Sequence, residues 1–475
     1  MSSTTSTSIL HRTLGNLRSA WRAISQSNRA GEIPALRPDL PEEDSEALRK
    51  QMRDCLEARG GEVSARARAA ALGQCYLNLN DQGRKRFLQI LARDFGVDRK
   101  ALYAATHDIH EIDNLEHALE SEARLREILT PPRLKLLTQF NSLPEGVKFL
   151  VDLRGDLTGY TQEDPLLKSL DDDLKGLLTS WFDVGFLDLK RITWEASAAL
   201  LEKLIAYEAV HEIRSWDDLK NRLGTDRRCY AFFHPRMPDE PLIFVQIALV
   251  PGMSNSVQVL LDKNAPTEDP LSANTAIFYS ISNTQKGLQG VNFGSFLIKR
   301  VADRLVKELP ALKTFATLSP IPGFRRYLLT ELAGNETRLL TSDEQKVLGL
   351  LFAKDSGKGS INDLLSTPNW YGDKRVAQAL KGPLMRLCAY YLVHEKKNGQ
   401  ALDRIAHFHL SNGARIERIN WLADISAKGL NQSAGMMVNY RYKLRDIEAN
   451  HETYGASGEA VVSAPVRKLL ASTEQ

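Results

Sequence analysis

A glycine-rich loop is the first segment of the chain whose residue types suggest chemistry. It runs from Gln285 to Gly294 (QKGLQGVNFG), between the apolar segment Thr275–Ser282 and the amphipathic segment Phe296–Leu309. A loop that leads from a strand into a helix can bind an anion, because backbone N–H groups and the helix dipole converge there. It has neither the Gly-Lys-Ser/Thr ending of a P-loop nor the G-x-G-x-x-G spacing of a Rossmann site. The remaining candidate for the bound anion is the pyrophosphate of a carrier such as coenzyme A. The simpler alternative is that the loop is a plain turn before a surface helix.

The segment Leu318–Phe324 (LSPIPGF) would hold a hydroxyl group at a fixed position. Ser319 ends a predicted strand and is followed by two prolines and a glycine, which predict a rigid turn. The segment is not the G-x-S-x-G elbow of α/β-hydrolases, so we do not expect an acyl-serine. A serine that only stabilises the turn is the alternative.

A pair of histidines precedes the third candidate segment. His407 and His409 lie just before Asn412-Gly413, a strong hairpin signal between the predicted strands Ile405–Ser411 and Arg415–Ala423. On a strand the two imidazoles would share one face. No further cluster of Cys, His or acidic residues lies nearby, so we predict no metal site. A run of polar and aromatic residues follows, which could also tie a buried hairpin together: Arg418, Asn420, Trp421, Asp424, Ser426, Ser433, Asn439, Tyr440 and Tyr442.

Composition limits the classes of protein to which the chain can belong. Its 475 residues carry 62 Lys and Arg against 59 Asp and Glu, and 43% are hydrophobic. This balance is typical of a soluble globular protein with two or more domains, and it argues against a nucleic-acid binder. The four cysteines are far apart, which argues against a disulfide scaffold or a zinc ribbon. No apolar run approaches the roughly 18–20 residues that would span a bilayer.

The first half of the chain has a helical pattern and the second half a mixed one. From about residue 45 to 185, apolar residues recur at spacings of three and four residues, as in Leu115–Leu129. This spacing indicates a helical bundle. Beyond residue 190 we predict strands at Cys229–His234, Leu242–Val250, Val257–Leu261, Thr275–Ser282 and Thr314–Leu318. We predict helices at about 342–354 and 374–395. Residues 1–31 are rich in Ser, Thr and Arg without an acid, so they suggest either a flexible arm or a targeting segment.

Three segments together resemble the malonyl-CoA decarboxylase family in sequence, order and spacing. They are QGLQGVNFGSFLIKRV, TLSPIPGFRRYL and the stretch from Phe408 to Tyr442. The resemblance implies an α+β multidomain protein, with a helical oligomerisation bundle followed by a mixed α/β, N-acetyltransferase-like (GNAT-like) catalytic domain. The boundaries would be a flexible arm at 1–36, the helical domain at 37–187, the catalytic domain at 188–450 and a tail at 451–475.

The resemblance also implies an activity and a site. The reaction would convert malonyl-CoA to acetyl-CoA and carbon dioxide without metal or biotin, coenzyme A being part of the substrate. Ser319, His409 and Tyr442 match the family's catalytic residues. Asn292 stands where we expect a glutamate in animal members, so it could position a substrate but could not transfer a proton. The residues that match the coenzyme A loop are Gln289, Gly290, Val291, Asn292, Phe293, Gly294 and Ser295.

Partners and location follow as further expectations. We expect a homo-oligomer, dimeric or tetrameric, formed through the helical domain, with no nucleic-acid or membrane partner. The location would be cytoplasmic in a bacterium, or mitochondrial if residues 1–31 are a targeting segment. Lys286, Lys299 and Arg300 are nearby cations that could meet the phosphates of coenzyme A. An acyltransferase of the same fold and a non-catalytic acyl-CoA-binding protein are the alternatives.

Overall fold

The structure is a computed structural model that describes residues 17–25, 36–57, 61–108, 114–182, 184–291, 297–352 and 359–471. The chain divides into two compact units. The first contains the described residues up to Asp188, together with Phe233–Leu242 and the described part of Asn283–Phe293. The second contains Leu189–Phe232, Ile243–Ser282 and the described part of Gly294–Gln475.

The first unit is built mainly from helices, as the sequence predicts. Pro131 and Pro132 end one helix and begin the next, since proline lacks the N–H group that a helix interior needs. An apolar core runs through the unit, with Phe87, Phe140 and Phe149 almost fully buried. The helices are α1 (residues 17–25), α2 (Glu42–Leu56), α3 (Gly61–Asn78), α4 (Asp81–Asp94), α5 (Arg99–Asp108), α6 (Leu115–Leu129), α7 (Pro132–Phe140), α8 (Gly146–Leu157) and α9 (Pro165–Trp181).

Two parts of the first unit differ from the sequence prediction. Residues 17–25 belong to the segment predicted as a flexible arm, yet they form α1. Trp21 on α1 is fully buried, donates a hydrogen bond from its indole to the carbonyl of Pro144 at 2.8 Å, and packs against Phe140 and Phe149. On α6 the predicted apolar stripe does not pack in the core: Leu115 is 75% exposed and Leu119 57% exposed.

The remaining elements form a mixed sheet with helices around it. The strands are β1 (Asp188–Ile192), β2 (Arg227–His234), β3 (Met237–Val250), β4 (Thr275–Asn283), β5 (Thr314–Thr317), β6 (Ser319–Pro320), β7 (Lys396–Lys397), β8 (Gln400–Ala401), β9 (Arg415–Asn420) and β10 (Met437–Tyr442). The helices are α10 (Ala198–Tyr207), α11 (Trp216–Arg222), α12 (Val257–Leu260), α13 (Leu297–Glu308), α14 (Phe324–Leu339), α15 (Ser342–Phe352), α16 (Ile361–Ser366), α17 (Lys374–His394), α18 (Arg404–Ser411), α19 (Ala427–Ser433), α20 (Ile447–Ser457) and α21 (Ala464–Ala471).

The topology of the eight-stranded sheet places β10 beside the serine segment. The order is β1-β2-β3-β4-β5-β10-β6, and β9 also pairs with β10. β4 and β5 are parallel, whereas β10 runs antiparallel to β5, β6 and β9. Val438 on β10 is the register partner of Ser319, so Ser319 lies directly against the strand that carries Tyr442.

Two predicted strands are helices instead. Val257–Leu261 contains α12, and Ile405–Ser411 lies within α18. In α18 the buried residues Ala406, His409 and Leu410 follow the three-and-four spacing of a helix. In so short an apolar segment, this spacing cannot be distinguished from the alternation of a strand. The segment predicted as a tail from residue 451 contains the end of α20 and all of α21, where Val466 is buried. No helix in the described ranges has both the length and the hydrophobicity to cross a bilayer.

Candidate active site

The structure brings together the three residues that the sequence singled out as catalytic. The hydroxyl oxygen of Ser319 lies 3.0 Å from Nε2 of His409, and Nδ1 of His409 lies 2.8 Å from the phenol oxygen of Tyr442. Ser319 is on β6, His409 on α18 and Tyr442 on β10. All three are at most 6% exposed. They form one continuous hydrogen-bonded chain inside the second unit.

The direction of this hydrogen-bonded chain follows from a fourth residue. The hydroxyl of Ser319 donates to the hydroxyl oxygen of Thr317 at 2.8 Å. A hydroxyl has only one proton to donate, so Nε2 of His409 carries the hydrogen that it shares with Ser319. Nδ1 of the neutral imidazole then accepts the proton of the Tyr442 phenol. The protons therefore point from Tyr442 to His409, from His409 to Ser319 and from Ser319 to Thr317.

Sequence reasoning missed Thr317, which belongs to the strand before the proline-rich turn. Its hydroxyl oxygen also accepts a bond from the backbone N–H of Tyr440 at 3.1 Å. The side-chain amide of Asn439 donates to the carbonyl of Thr317 at 2.7 Å. The ring of Tyr440 stacks on the imidazole of His409, with ring centres 4.5 Å apart. Period-two alternation from Ser319 could have indicated Thr317, because the two hydroxyls share a face of one extended segment.

Burial keeps the side chains of this hydrogen-bonded chain uncharged. It lowers the pKa of His409 to about 3, and it raises the pKa of Tyr442 and that of Tyr440 well above that of an ordinary tyrosine. A charged form would lose its hydration in this environment, which penalises imidazolium and phenolate alike. At neutral pH the histidine is therefore a neutral imidazole and both tyrosines are phenols.

A buried carboxylate connects the serine and histidine segments. Asp403 begins α18, and one of its oxygens accepts bonds from the backbone N–H groups of Ile405 at 2.9 Å and Ala406 at 3.0 Å. Its other oxygen accepts a bond from the backbone N–H of Gly323 at 3.4 Å. Asp403 is 2% exposed. Because α18 was predicted as a strand, the sequence did not indicate this N-cap.

His407, the second histidine of the predicted pair, does not belong to the hydrogen-bonded chain. Two residues apart on a helix differ in direction by about 200°, so His407 and His409 face different neighbours. His407 lies 3.0 Å from the hydroxyl of Tyr454 through Nδ1. No group of three or more His, Cys, Asp or Glu side chains suitable for a metal ion occurs in the part of the chain that the structure describes.

The predicted coenzyme A loop is described in part, within the first unit. Gln289 and Gly290 are exposed, Val291 is buried, and Gly290 has a φ of +76°. Asn292, Phe293, Gly294 and Ser295 lie outside the described residues. Among the cations predicted nearby, Lys286 is exposed. Two others, on α13 of the second unit, have contacts of their own: Lys299 bonds Glu448 at 2.7 Å, and Arg300 lies over the ring of Phe232.

The helical region is followed by a mixed α/β sheet domain that holds the buried hydroxyl–imidazole–phenol chain, which is the α+β arrangement that the sequence predicted. The malonyl-CoA decarboxylase C-terminal domain model matches residues 185–475, and the N-terminal domain model of the same family matches residues 95–182. The chain belongs to the malonyl-CoA decarboxylase family.

Individual relatives agree with the family models. The mitochondrial malonyl-CoA decarboxylase of the goose Anser anser anser is 40% identical over 429 residues, which cover 86% of this chain and 84% of the relative. That of Rattus norvegicus is 41% identical over 432 residues, covering 86% of this chain and 88% of the relative. The crystal structure of malonyl-CoA decarboxylase from Rhodopseudomonas palustris superposes with a TM-score of 0.81 at 41% identity, covering 89% of this chain and 99% of that one. The resemblance stated from sequence is confirmed, and neither alternative is favoured.

Proposed function

We propose that this carboxy-lyase converts malonyl-CoA to acetyl-CoA and carbon dioxide at the chain formed by Ser319, His409 and Tyr442. The observation that carries the proposal is the buried contact between Ser319 and His409, in a protein of the malonyl-CoA decarboxylase family. Burial of these side chains strengthens electrostatic interactions with a substrate and shields a reactive intermediate from solvent.

The reaction needs a proton donor. When the C–C bond to the carboxylate breaks, its electron pair stays on the α-carbon and is delocalised onto the thioester oxygen as carbon dioxide leaves. The α-carbon then takes one proton, so each turnover consumes one proton from solvent. Because the thioester accepts the electron pair, we propose that neither a metal nor biotin takes part.

We propose His409 as the acid. The free site holds the imidazole neutral because burial lowers the pKa of His409 to about 3. A malonyl carboxylate bound beside it would favour the imidazolium and raise this pKa, so the proton would be taken up at Nδ1 when the substrate binds. The Tyr442 oxygen would then accept the bond from Nδ1 to which it donates in the free site. After carbon dioxide leaves, His409 gives the proton to the α-carbon, directly or through Ser319. The hydroxyl of Ser319, which donates to Thr317 in the free site, could instead donate to the malonyl carboxylate.

Tyr442 would orient His409, and the glycine loop would hold the substrate. The Tyr442 phenol donates to Nδ1 of His409, which keeps a hydrogen on Nε2, the atom that faces Ser319. The glycine loop would bind the coenzyme A moiety, and the N–H groups of Gln289 and Val291 hold its shape by donating to Lys286 and Leu288 at 3.1 and 3.0 Å. This assignment covers Gln289, Gly290 and Val291 and extends to the undescribed residues Asn292, Phe293, Gly294 and Ser295. Asn292 would position the substrate by hydrogen bonding.

Replacement of the two central residues tests the proposal. We expect Ser319→Ala and His409→Ala each to lower kcat for acetyl-CoA formation from malonyl-CoA by about 10²–10⁴-fold, the usual contribution of a proton-transfer group. Matched controls lie on the same helix: Ser411→Ala and His407→Ala alter a serine and a histidine outside the hydrogen-bonded chain and should retain most activity. Near wild-type carbon dioxide release by both test variants would overturn the assignment.

We also propose that the enzyme is a homo-oligomer assembled through its helical region. The exposed leucines of α6, together with Tyr103 of α5 at 71% exposure, leave an apolar surface on the first unit. A second copy of the chain would cover this surface and remove it from water.

For the location, we propose that any targeting sequence ends before residue 17. The goose and rat relatives are named as mitochondrial proteins. Cleavage beyond α1 would remove the buried Trp21 from the core of the first unit. N-terminal sequencing of the mature protein tests this, and a mature N-terminus after residue 17 would contradict it. In a bacterium we expect a cytoplasmic enzyme.

A further inference from the structure

The glycine loop is fixed against α8 of the same unit. Residues Lys286–Leu288 form a 3-10 turn, and a Cβ atom on Gly287 would lie 1.7 Å from the carbonyl oxygen of Val151. Only a glycine allows so close an approach of two backbones. Gly155, one turn further along α8, packs against Gly287 as well: its own Cβ would lie 3.5 Å from the nitrogen of Gly287.

A buried arginine of α8 also binds the loop. Nη1 of Arg154 donates to the carbonyl of Gly287 at 2.6 Å and to that of Gln289 at 3.0 Å. Its Nε donates to Asp171 on α9 at 2.8 Å, and Arg154 is 3% exposed. Because two carbonyls of the loop are bound to one rigid guanidinium group, the loop is positioned before any ligand arrives.

The next turn of α9 places a lysine at the loop. Lys175 follows Asp171 by four residues and so lies on the same face of the helix. A Cβ atom on Gly290 would be 3.6 Å from Nζ of Lys175, although Lys175 itself is exposed. The ammonium group therefore lies beside the exposed part of the loop.

No acidic side chain in the described ranges pairs with this ammonium group. The neighbouring acidic residues 171–173 contact other basic residues: Asp171 contacts Arg154 and Lys168, Asp172 contacts Lys168, and Asp173 contacts Arg133. The positive charge of Lys175 is thus available to a ligand at the loop. Phosphate groups are natural partners of an exposed ammonium group.

We propose that Lys175 of the helical region is a phosphate-binding residue for the nucleotide end of malonyl-CoA. This inference rests on the proposed function and gives the helical region a part in substrate binding in addition to its proposed part in assembly. Lys175 would contact a phosphate oxygen through Nζ, while Arg154 acts as a positioning residue that keeps the loop in place. The contact lies on the nucleotide end of the substrate, so it should affect binding and leave the chemical step unchanged.

A charge-neutral variant tests the proposal with little risk to folding, because Lys175 is exposed. We expect Lys175→Gln to raise KM for malonyl-CoA about five- to tenfold and to leave kcat within about twofold. KM of the variant should also depend less on ionic strength than that of the wild type. With S-malonyl-pantetheine, which lacks all three phosphates, the variant and the wild type should be equal. Lys100→Gln, at an exposed lysine of α5, is the matched control.

Two outcomes would overturn the proposal: an unchanged KM for malonyl-CoA in Lys175→Gln, or an equal change with S-malonyl-pantetheine. With 3′-dephospho-malonyl-CoA, loss of the effect would assign the contact to the 3′-phosphate, and persistence would assign it to the diphosphate.

Calorimetric titration with free coenzyme A separates this inference from the proposed function. Weaker binding by Lys175→Gln would support it even if the wild type did not decarboxylate malonyl-CoA, and equal binding would contradict it.

Discussion

Among single residues, the hydrogen bond from Tyr442 to His409 decides which nitrogen of the imidazole carries the proton. A neutral imidazole can bear its hydrogen on either nitrogen, and only the Nε2 form can donate to Ser319. The phenol fixes this form by donating to Nδ1 at 2.8 Å. Tyr442 is therefore expected to act through His409 even if it does not touch the substrate.

Tyr442→Phe should separate orientation of the imidazole from packing around it. The variant keeps the buried ring and removes only the hydroxyl, so we expect kcat to fall about 10–100-fold with little change in KM. Nitrogen NMR of the His409 ring should show the Nε2–H form in the wild type and a mixture of both forms in the variant. An unchanged kcat, or a ring that keeps the Nε2–H form in the variant, would contradict this role.

The lowered pKa of His409 also predicts how stability depends on pH. The pKa is about 3 in the folded state and 6.5 in the unfolded chain, so between these values the unfolded chain binds more protons. Stability is therefore complete above about pH 6.5 and is lost as the pH falls through this window. At pH 5, His409 alone should lower the free energy of unfolding by about 2 kcal/mol relative to pH 8.

Denaturant unfolding of His409→Gln at pH 8 and pH 5 measures this contribution. The variant should lose about 2 kcal/mol less than the wild type between the two pH values. His211, whose pKa burial lowers to about 4, contributes with the same sign in both proteins and cancels from the comparison. The exposed His117→Gln should behave as the wild type does. Equal losses in the wild type and His409→Gln would mean that the imidazole is not held neutral.

Among the secondary-structure elements, α18 is the one that the sequence misassigned and that the site most depends on. Alternation of Ala406, Phe408 and Leu410 with polar residues is typical of a strand, and Asn412-Gly413 strengthened that interpretation. The cap at Asp403 favours a helix, and Gly413, with a φ of +78°, takes a left-handed conformation just after it. Over eight residues the alternation of a strand and the spacing of a helix fit equally well. Only the residues at the two ends of α18 distinguish the helix from a strand.

Asp403 should matter for catalysis as well as for stability. Asp403→Ala removes the cap of α18 and the bond to Gly323, so we expect a loss of about 1–2 kcal/mol in the free energy of unfolding. We also expect kcat to fall about tenfold or more, because the spacing of Ser319 and His409 is no longer fixed. Asp373→Ala, which removes the cap of α17, is the control and should cost similar stability while leaving kcat unchanged. If the two variants had the same kcat, Asp403 would be only a cap.

For the whole molecule, the exposed leucines of α6 predict the state of assembly. We expect the wild type to have a mass in solution that is a multiple of 53.2 kDa, and Leu115→Lys combined with Leu119→Lys to shift it toward that value. Two charges on this face would oppose its burial. Light scattering after gel filtration measures both masses. Leu271→Lys, at a leucine that is 72% exposed in the second unit, should not change the mass, and an unchanged mass of the double variant would contradict the proposal.

Sequence alone determined the residues and segments that carry the family resemblance, because these are local features of type and order. It predicted the helical first half, most strands of the sheet, the loop at Gly290, and Ser319, His409 and Tyr442 as candidates. It could not decide how these side chains meet, since Ser319 and His409 are 90 residues apart and His409 and Tyr442 are 33 apart. Tertiary structure decided the rest. Burial sets the charge of His409, and contacts between distant segments fix its partners, neither of which follows from local sequence.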